Sequence, residues 1–210
     1  MKLITVIFSI LFLTPFLSPS QNFAVGVDRN NILYVGVDNP LSIAVTSVPN
    51  KSIIAKASLG KVSYQYNTYV FNSEVPGATE ITLYQKVKGN LKKIGSNYFR
   101  IKLIPDPVFK IASGKDSIRL VEFQNQQYVR AELENFDFDT RFTIKKFTAI
   151  IISKDTCKYK EIENETNEIG ESLHSEFTKL NVSDIVIFKN ILVSGPGGER
   201  VIHPRMFFIL

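Results

Sequence analysis

The tetrapeptide Ile104-Pro105-Asp106-Pro107 constrains this chain more than any other stretch. Each proline fixes its own φ, lacks an N–H donor and pushes the preceding residue towards an extended conformation. The segment can therefore neither continue a helix nor lie in a central strand. On both sides the residues form short apolar or alternating runs broken by turn chemistry. Each side is close to the roughly 100 residues of a small sandwich domain. The sequence thus predicts an all-β chain of two tandem immunoglobulin-like β-sandwich domains, residues 22–105 and 108–210, joined by a Pro-Asp-Pro linker. The linker is expected to act as a stiff hinge that keeps the domains extended rather than folded back on each other.

Residues 1–20 read as a secretory signal peptide. Lys2 supplies a minimal positive region, residues 3–13 are apolar, and Ser18-Pro19-Ser20 offers small residues for cleavage. A spanning helix needs about 20 apolar residues, whereas Pro15 and Pro19 interrupt this run and Gln21-Asn22 ends it. No cysteine stands near the cleavage region to carry a lipid. The expected product is an exported, periplasmic chain with no membrane span after cleavage and with surface exposure open to it. The single cysteine, Cys157, excludes an intramolecular disulfide, so each domain must rest on an apolar core. Domains of about 85–105 residues are long enough to build one, and sixteen Phe with eight Tyr and no Trp suit a β-rich interior.

In the first half, Leu41, Ile43 and Val45 alternate with small polar residues, the pattern of a strand with one buried face. Gly36, Asn39-Pro40, Gly60, Asn72-Ser73, Pro76-Gly77 and Gly89-Asn90 punctuate further strand-like runs. Residues 22–105 carry ten Lys/Arg against four Asp/Glu. Lys86, Lys88, Lys92, Lys93, Arg100 and Lys102 fall in one hairpin without an acid. They are the candidate partner-binding residues, suited to an acidic protein face or an anionic glycan. The competing reading is a solvated hairpin whose lysines discourage edge-to-edge pairing. Export and the lack of interleaved stacking aromatics argue against nucleic acid.

Residues 106–210 carry fourteen Lys/Arg against sixteen Asp/Glu. Residues 109–111, 117–123 and 128–133 read as strands. In Phe136-Asp137-Phe138-Asp139 the phenylalanines are expected to plug the core and the aspartates to face water; a calcium loop would need a glycine and further oxygen ligands. The long run 141–152 changes phase, with Phe142 and Ile144 on one parity and Phe147, Ala149 and Ile151 on the other. That predicts a bulge at Lys145-Lys146. Six glutamates between 161 and 176 suggest a solvated loop entering the one short helix, marked by Ile169, Leu173, Phe177 and Leu180 at helical spacing. Gly195-Pro196-Gly197-Gly198 turns the terminal hairpin, and Pro204 marks an edge or bulge in its last strand.

Nothing in these residues points to catalysis. Cys157 has no histidine partner in sequence, His174 and His203 match no nucleophile motif, and the acidic stretch lacks convergent His, Cys or Asp. The chain is therefore expected to be no enzyme, with no catalytic, cofactor-binding or metal-binding residues.

Several stretches together resemble the C-terminal periplasmic domains of the GldM (PorM) family of gliding-motility and type IX secretion proteins. They are Asn31-Ile32-Leu33-Tyr34-Val35-Gly36-Val37-Asp38-Asn39-Pro40-Leu41-Ser42-Ile43, Phe99-Arg100-Ile101-Lys102-Leu103-Ile104-Pro105-Asp106-Pro107, Phe136-Asp137-Phe138-Asp139, and Asp184-Ile185-Val186-Ile187-Phe188-Lys189-Asn190-Ile191 followed by Gly195-Pro196-Gly197-Gly198. They occur in the family's order over nearly the whole chain. The resemblance implies tandem β domains and a non-catalytic interaction module in a Bacteroidota envelope, bound to an outer-membrane-associated secretion ring. Family members place a membrane helix and a helical domain upstream. A signal peptide in that place implies a free-standing copy without the motor role, as a monomer or weak homodimer. The alternative from another class is an envelope or surface carbohydrate-binding module using the basic hairpin.

Overall fold

The computed structural model describes residues 23–26, 31–138, 140–156 and 158–210. The signal-peptide expectation and the readings of Cys157 and Asp139 lie outside the described residues. The first half forms β1 (Phe23–Gly26), β2 (Ile32–Tyr34), β3 (Asn39–Val45), β4 (Ile53–Ala57), β5 (Lys61–Gln65), β6 (Thr68–Asn72), β7 (Gly77–Val87) and β8 (Asn90–Lys102). They assort into two four-stranded sheets, ordered β1-β3-β6-β5 and β2-β8-β7-β4. β2 runs parallel to β8, and the remaining pairs are antiparallel. Along β3, Leu41, Ile43 and Val45 are buried and the residues between them exposed, because successive side chains leave opposite faces of a strand. Leu33, Phe71, Ile81, Leu83, Phe99 and Ile101 from both sheets fill one shared core.

A buried polar side chain shapes the loop between β2 and β3. Asn39 is fully buried. Its Oδ1 accepts from the Tyr34 N–H at 2.8 Å, and its Nδ2 donates to the carbonyls of Tyr34, Val37 and Phe71 at 2.8, 3.0 and 3.2 Å. The loop 34–39 is thereby folded onto its own base. Asn39→Ala leaves those groups without partners, so it should lower stability by about 2–3 kcal/mol, on the scale of stranding buried backbone groups. Denaturant titration of the variant checks this.

The second half forms β9 (Val108–Ile111), β10 (Ser117–Ile118), α1 (Leu120–Gln124), β11 (Val129–Glu132), β12 (Thr143–Ile152), β13 (Tyr159–Asn164), α2 (Glu171–Phe177), β14 (Ile185–Gly195), β15 (Gly198–Ile202) and β16 (Arg205–Ile209). The main sheet runs β10-β16-β14-β12-β13 with β15 also on β14, and β9 pairs β11 in a second, two-stranded sheet. Phe109, Phe123, Phe147, Phe177, Phe188 and Phe207 are all buried in one core. Phe188 stands among four of them, its ring centroid 4.5 Å from Phe109, 5.5 Å from Phe147, 5.7 Å from Phe207 and 6.5 Å from Phe177.

The expected bulge is present. Register shifts fall between Ile144 and Lys146 and between Lys146 and Thr148 as β12 pairs β14. They let Ile144 and Phe147, of opposite parity, both reach the core. All four residues of the expected stripe are buried, but only Leu173 and Phe177 lie on α2, with Ile169 just before the helix and Leu180 just after it. The chain also breaks at Pro204, between β15 and β16.

Two expectations are corrected. The strand expected over 117–123 stops at Ile118, and α1 follows as a second short helix. Leu120 and Phe123 face the core together at helical spacing while Val121 is exposed; a strand would send Leu120 and Phe123 to opposite faces. The glutamate-rich stretch opens as an edge strand rather than a loop. β13 pairs β12 from Tyr159↔Ile152 to Asn164↔Phe147, and Ile162 packs against the core. Its charges lie on an exposed edge, where they oppose further strand addition.

That acidic stretch is partly neutralised within the chain. Glu161 pairs with Lys189 at 2.9 Å, and Glu176 with Lys160 and Lys179 at 2.7 Å each. Hydrogen bonds from Lys160 and then Lys179 hold the Glu176 carboxyl below the usual carboxylate range. A carboxylate with a lowered folded pKa stabilises above its ordinary range, and that contribution is lost as pH falls through the lowered pKa. Glu176→Gln should therefore melt slightly below the parent at neutral pH. The two curves should converge once acid has protonated Glu176, which melting at both pH values checks.

Candidate interaction surfaces

β7 and β8 form a long hairpin closed at Lys88-Gly89, whose φ values of +49° and +88° are both left-handed, as a two-residue hairpin turn requires. All six candidate basic residues are exposed, but they do not form one patch. Lys86, Lys88, Lys92 and Lys93 stand at the tip. Within it, Lys86 pairs opposite Leu91 and Lys93 opposite Tyr84 on one face, whereas Lys92 pairs opposite Gln85 on the other. Arg100 and Lys102 sit at the far end of β8, in register with Ile32 and Tyr34 of β2. At about 3.4 Å per residue, the run from Lys92 to Arg100 places the two groups roughly 25 Å apart.

That far end meets the second domain. The Tyr34 ring makes edge-on contacts with Phe136 at 4.9 Å and Phe138 at 5.4 Å between centroids, and the two phenylalanines lie 5.3 Å apart. Phe136 and Phe138 therefore pack against a tyrosine of the first domain, not in the core of the second as the sequence suggested. Their spacing puts both rings on one side of an extended segment, and that side faces the joint.

The backbones also approach closely here. Gly36 has φ +74°, and a Cβ on it would lie 2.5 Å from the Gly197 nitrogen. A Cβ on Gly197 would in turn lie 3.8 Å from Val35 Cγ1 and 3.9 Å from Leu103 Cδ2. The loop fixed by Asn39 is thus seated on the Gly195-Pro196-Gly197-Gly198 turn between β14 and β15.

Arg200 ties the linker to that turn. Its Nη1 donates to the Ile104 carbonyl at 2.7 Å and pairs with Asp106 Oδ1 at 3.2 Å, and its Nη2 donates to the Pro196 carbonyl at 2.8 Å. Its guanidinium also lies over the Phe142 ring, 5.3 Å from the centroid. Ile104 is only 2% exposed yet belongs to neither domain core, and Pro107 is buried as well. The segment expected as a hinge is held on both sides. In the second domain a groove of about 480 Å³ is lined by residues 129–133, Phe136, Phe138, residues 140–144 and Asn167.

Sequence reasoning singled out the basic hairpin and did not find this joint. Its signals were present as two glycine-bearing turns, around Gly36 and Gly197, but nothing in one dimension links them. Arg200 lies 94 residues from Asp106.

Among the described residues, no group of three or more His, Cys, Asp or Glu side chains converges to hold a metal ion. No described helix is long and apolar enough to cross a membrane. His174 lies on α2 and His203 between β15 and β16.

Comparison with known proteins gives the architecture a family. Residues 23–102 match the GldM third domain and residues 105–205 the GldM C-terminal domain. No curated protein matches the chain. Among solved structures, domains 6–7 of the surface layer protein SbsC are 12% identical, with 90% of this chain and 97% of that one covered at a TM-score of 0.31. The three N-terminal domains of the bacteriophage RB49 Highly Immunogenic Outer Capsid protein (Hoc) are 10% identical, with 90% and 70% covered at a TM-score of 0.27. The two domain matches meet at the linker that Arg200 clamps and together span both sandwiches, so the chain belongs to the GldM family and carries its third and C-terminal domains in tandem.

Proposed function

We propose that this chain is a non-catalytic, exported interaction module that binds a cell-envelope protein assembly of the gliding-motility and type IX secretion kind. In this reading a leader of residues 1–20 is removed in the periplasm, and residues 22–105 and 108–210 act there as the two working units. The observation that carries it is the joint. Tyr34, Gly36, Asp106, Phe136, Phe138 and Arg200 couple the domains, so they present their outer surfaces in one fixed relation. A fixed relation between two modules lets a partner engage both at once, and such bivalent binding gains affinity without new contacts.

The test is capture from a solubilised Bacteroidota envelope, with identification of the retained proteins. Recovery of a secretion or motility component by the parent chain, and its weaker retention by an Arg200→Met variant, is the expected result. Recovery of no such component, while a full-length GldM protein retains one from the same extract, contradicts the proposal.

A further inference from the structure

The end of the first domain opposite the joint carries a second, chemically distinct surface. β6 runs from Thr68 at this pole to Asn72 at the joint side, and β7 reaches the pole at Val87 after starting opposite Ile101. The β5–β6 and β7–β8 turns therefore share one pole. They are tied there through Tyr69, whose hydroxyl donates to the Ile53 carbonyl at 2.8 Å; Ile53 pairs with Gln85 at the base of the basic tip. Lys51, Lys88 and Lys92 belong to the stretches that meet Tyr64 and Tyr66 at this pole; Lys92, opposite Gln85, leaves the hairpin on the Ile53 side, whereas Lys86 and Lys93 leave the other face. The stretches that build it, residues 46–52, 64–68 and 85–93, contain no acid.

Tyr66 is the unusual member. It is fully exposed and has φ +48°, followed by Asn67 at +66°. That left-handed pair is ordinary for Asn or Gly in a two-residue hairpin turn but unfavourable for tyrosine. No burial of its ring explains its place, and strained residues persist where function holds them. Its neighbours are neutral hydrogen-bonding groups. The Tyr64 hydroxyl donates to Asn67 Oδ1 at 2.7 Å, and Gln65 Nε2 donates to Ser63 Oγ at 2.8 Å.

This composition separates the ligand classes. Protein interfaces are enriched in arginine and depleted of lysine, and every cation at this pole is a lysine. A lipid surface takes up exposed apolar side chains, whereas the basic tip offers only the half-exposed Val87 and Leu91. A hydroxyl-rich anionic chain fits both halves: tyrosine rings stack on the C–H faces of sugars, and lysines serve as point charges for acidic substituents. We propose that this pole binds an acidic polysaccharide, with Tyr66 stacked on a sugar ring and Lys88 and Lys92 paired with its carboxylate or sulfate groups. The site stands apart from the assembly reading above, whose capture experiment is unaffected by the outcome here.

Calorimetric titration of the full chain with alginate, dextran sulfate and neutral dextran tests it, with vesicles of phosphatidylcholine and phosphatidylglycerol alongside. Alginate, dextran sulfate or both should bind and weaken with added salt, the comparison showing whether carboxylate or sulfate is preferred; neutral dextran should not bind. Tyr66→Asn relieves the turn and should melt no lower than the parent, yet weaken binding about fivefold, the scale of one exposed aromatic contact. The pair Lys88→Gln and Lys92→Gln should weaken it at least as much. The charge-matched pair Lys61→Gln and Lys115→Gln, away from the pole, should not. Binding to vesicles alone, no binding to either acidic polymer, an unaffected Tyr66→Asn variant, or equal losses from the distant lysine pair would each overturn the proposal.

Discussion

Replacing Phe188 with alanine should unfold the second domain at temperatures where the first stays folded. The Phe188 ring contacts four other buried phenylalanines from β9, β12, α2 and β16, so its removal opens a cavity that no single neighbour can close. Phe→Ala changes at such sites cost about 3–5 kcal/mol. A domain holds only about 5–15 kcal/mol in total. The first core shares no residue with the second, so its own transition should move little. Differential scanning calorimetry should show the second domain's transition fall while the first domain's stays in place. Equal shifts of both would mean that the cores unfold as one unit.

The second large effect belongs to Arg200→Met. Methionine keeps much of the apolar stem and removes the hydrogen bonds to Ile104 and Pro196, the Asp106 pair and the contact with Phe142. The Arg200 side chain is only 18% exposed, so its carbonyl partners lose a charged donor without full access to water. The hydrogen bond to Ile104 and the Asp106 pair hold the linker, while the Pro196 and Phe142 contacts only fix Arg200 within its own domain. The loss of coupling should therefore be about 1.5–3 kcal/mol, the scale of one hydrogen bond to a charged group. Neither sandwich loses a core residue. The expected phenotype is two folded domains with a loosened joint, read as faster proteolysis within residues 103–107 and little change in circular dichroism. Unchanged cleavage would show that the aromatic and glycine contacts suffice without Arg200.

Local features were legible in the sequence because their causes are local. Alternation along β3 gave its buried face, the parity change between Ile144 and Phe147 gave the β12 bulge, and the spacing from Ile169 to Leu180 gave α2. The 117–123 segment was misread because its apolar residues fit a strand by composition, and only the phase of Leu120 and Phe123 betrays a helix. β13 was misread because charged residues on an edge strand look like a solvated loop. The basic hairpin was visible, but its division into a tip and a joint end was not, since strand length separates residues that sequence places together. The joint was hidden for the opposite reason. Tyr34 meets Phe136, and Arg200 meets Asp106, across about a hundred residues of chain. The linker prolines explain its stiffness, but what fixes its direction comes from both domains.

The two GldM-type domains form one unit with a fixed relation across the linker. Pulsed dipolar spectroscopy tests it most directly, using spin labels at Ser42→Cys in the first domain and Ser175→Cys in the second, with Cys157→Ser to remove the native thiol. The parent should give a single narrow distance distribution, and Arg200→Met a broader one. A broad distribution in the parent, unchanged by Arg200→Met, would contradict the claim and leave the domains as independent modules on a hinge.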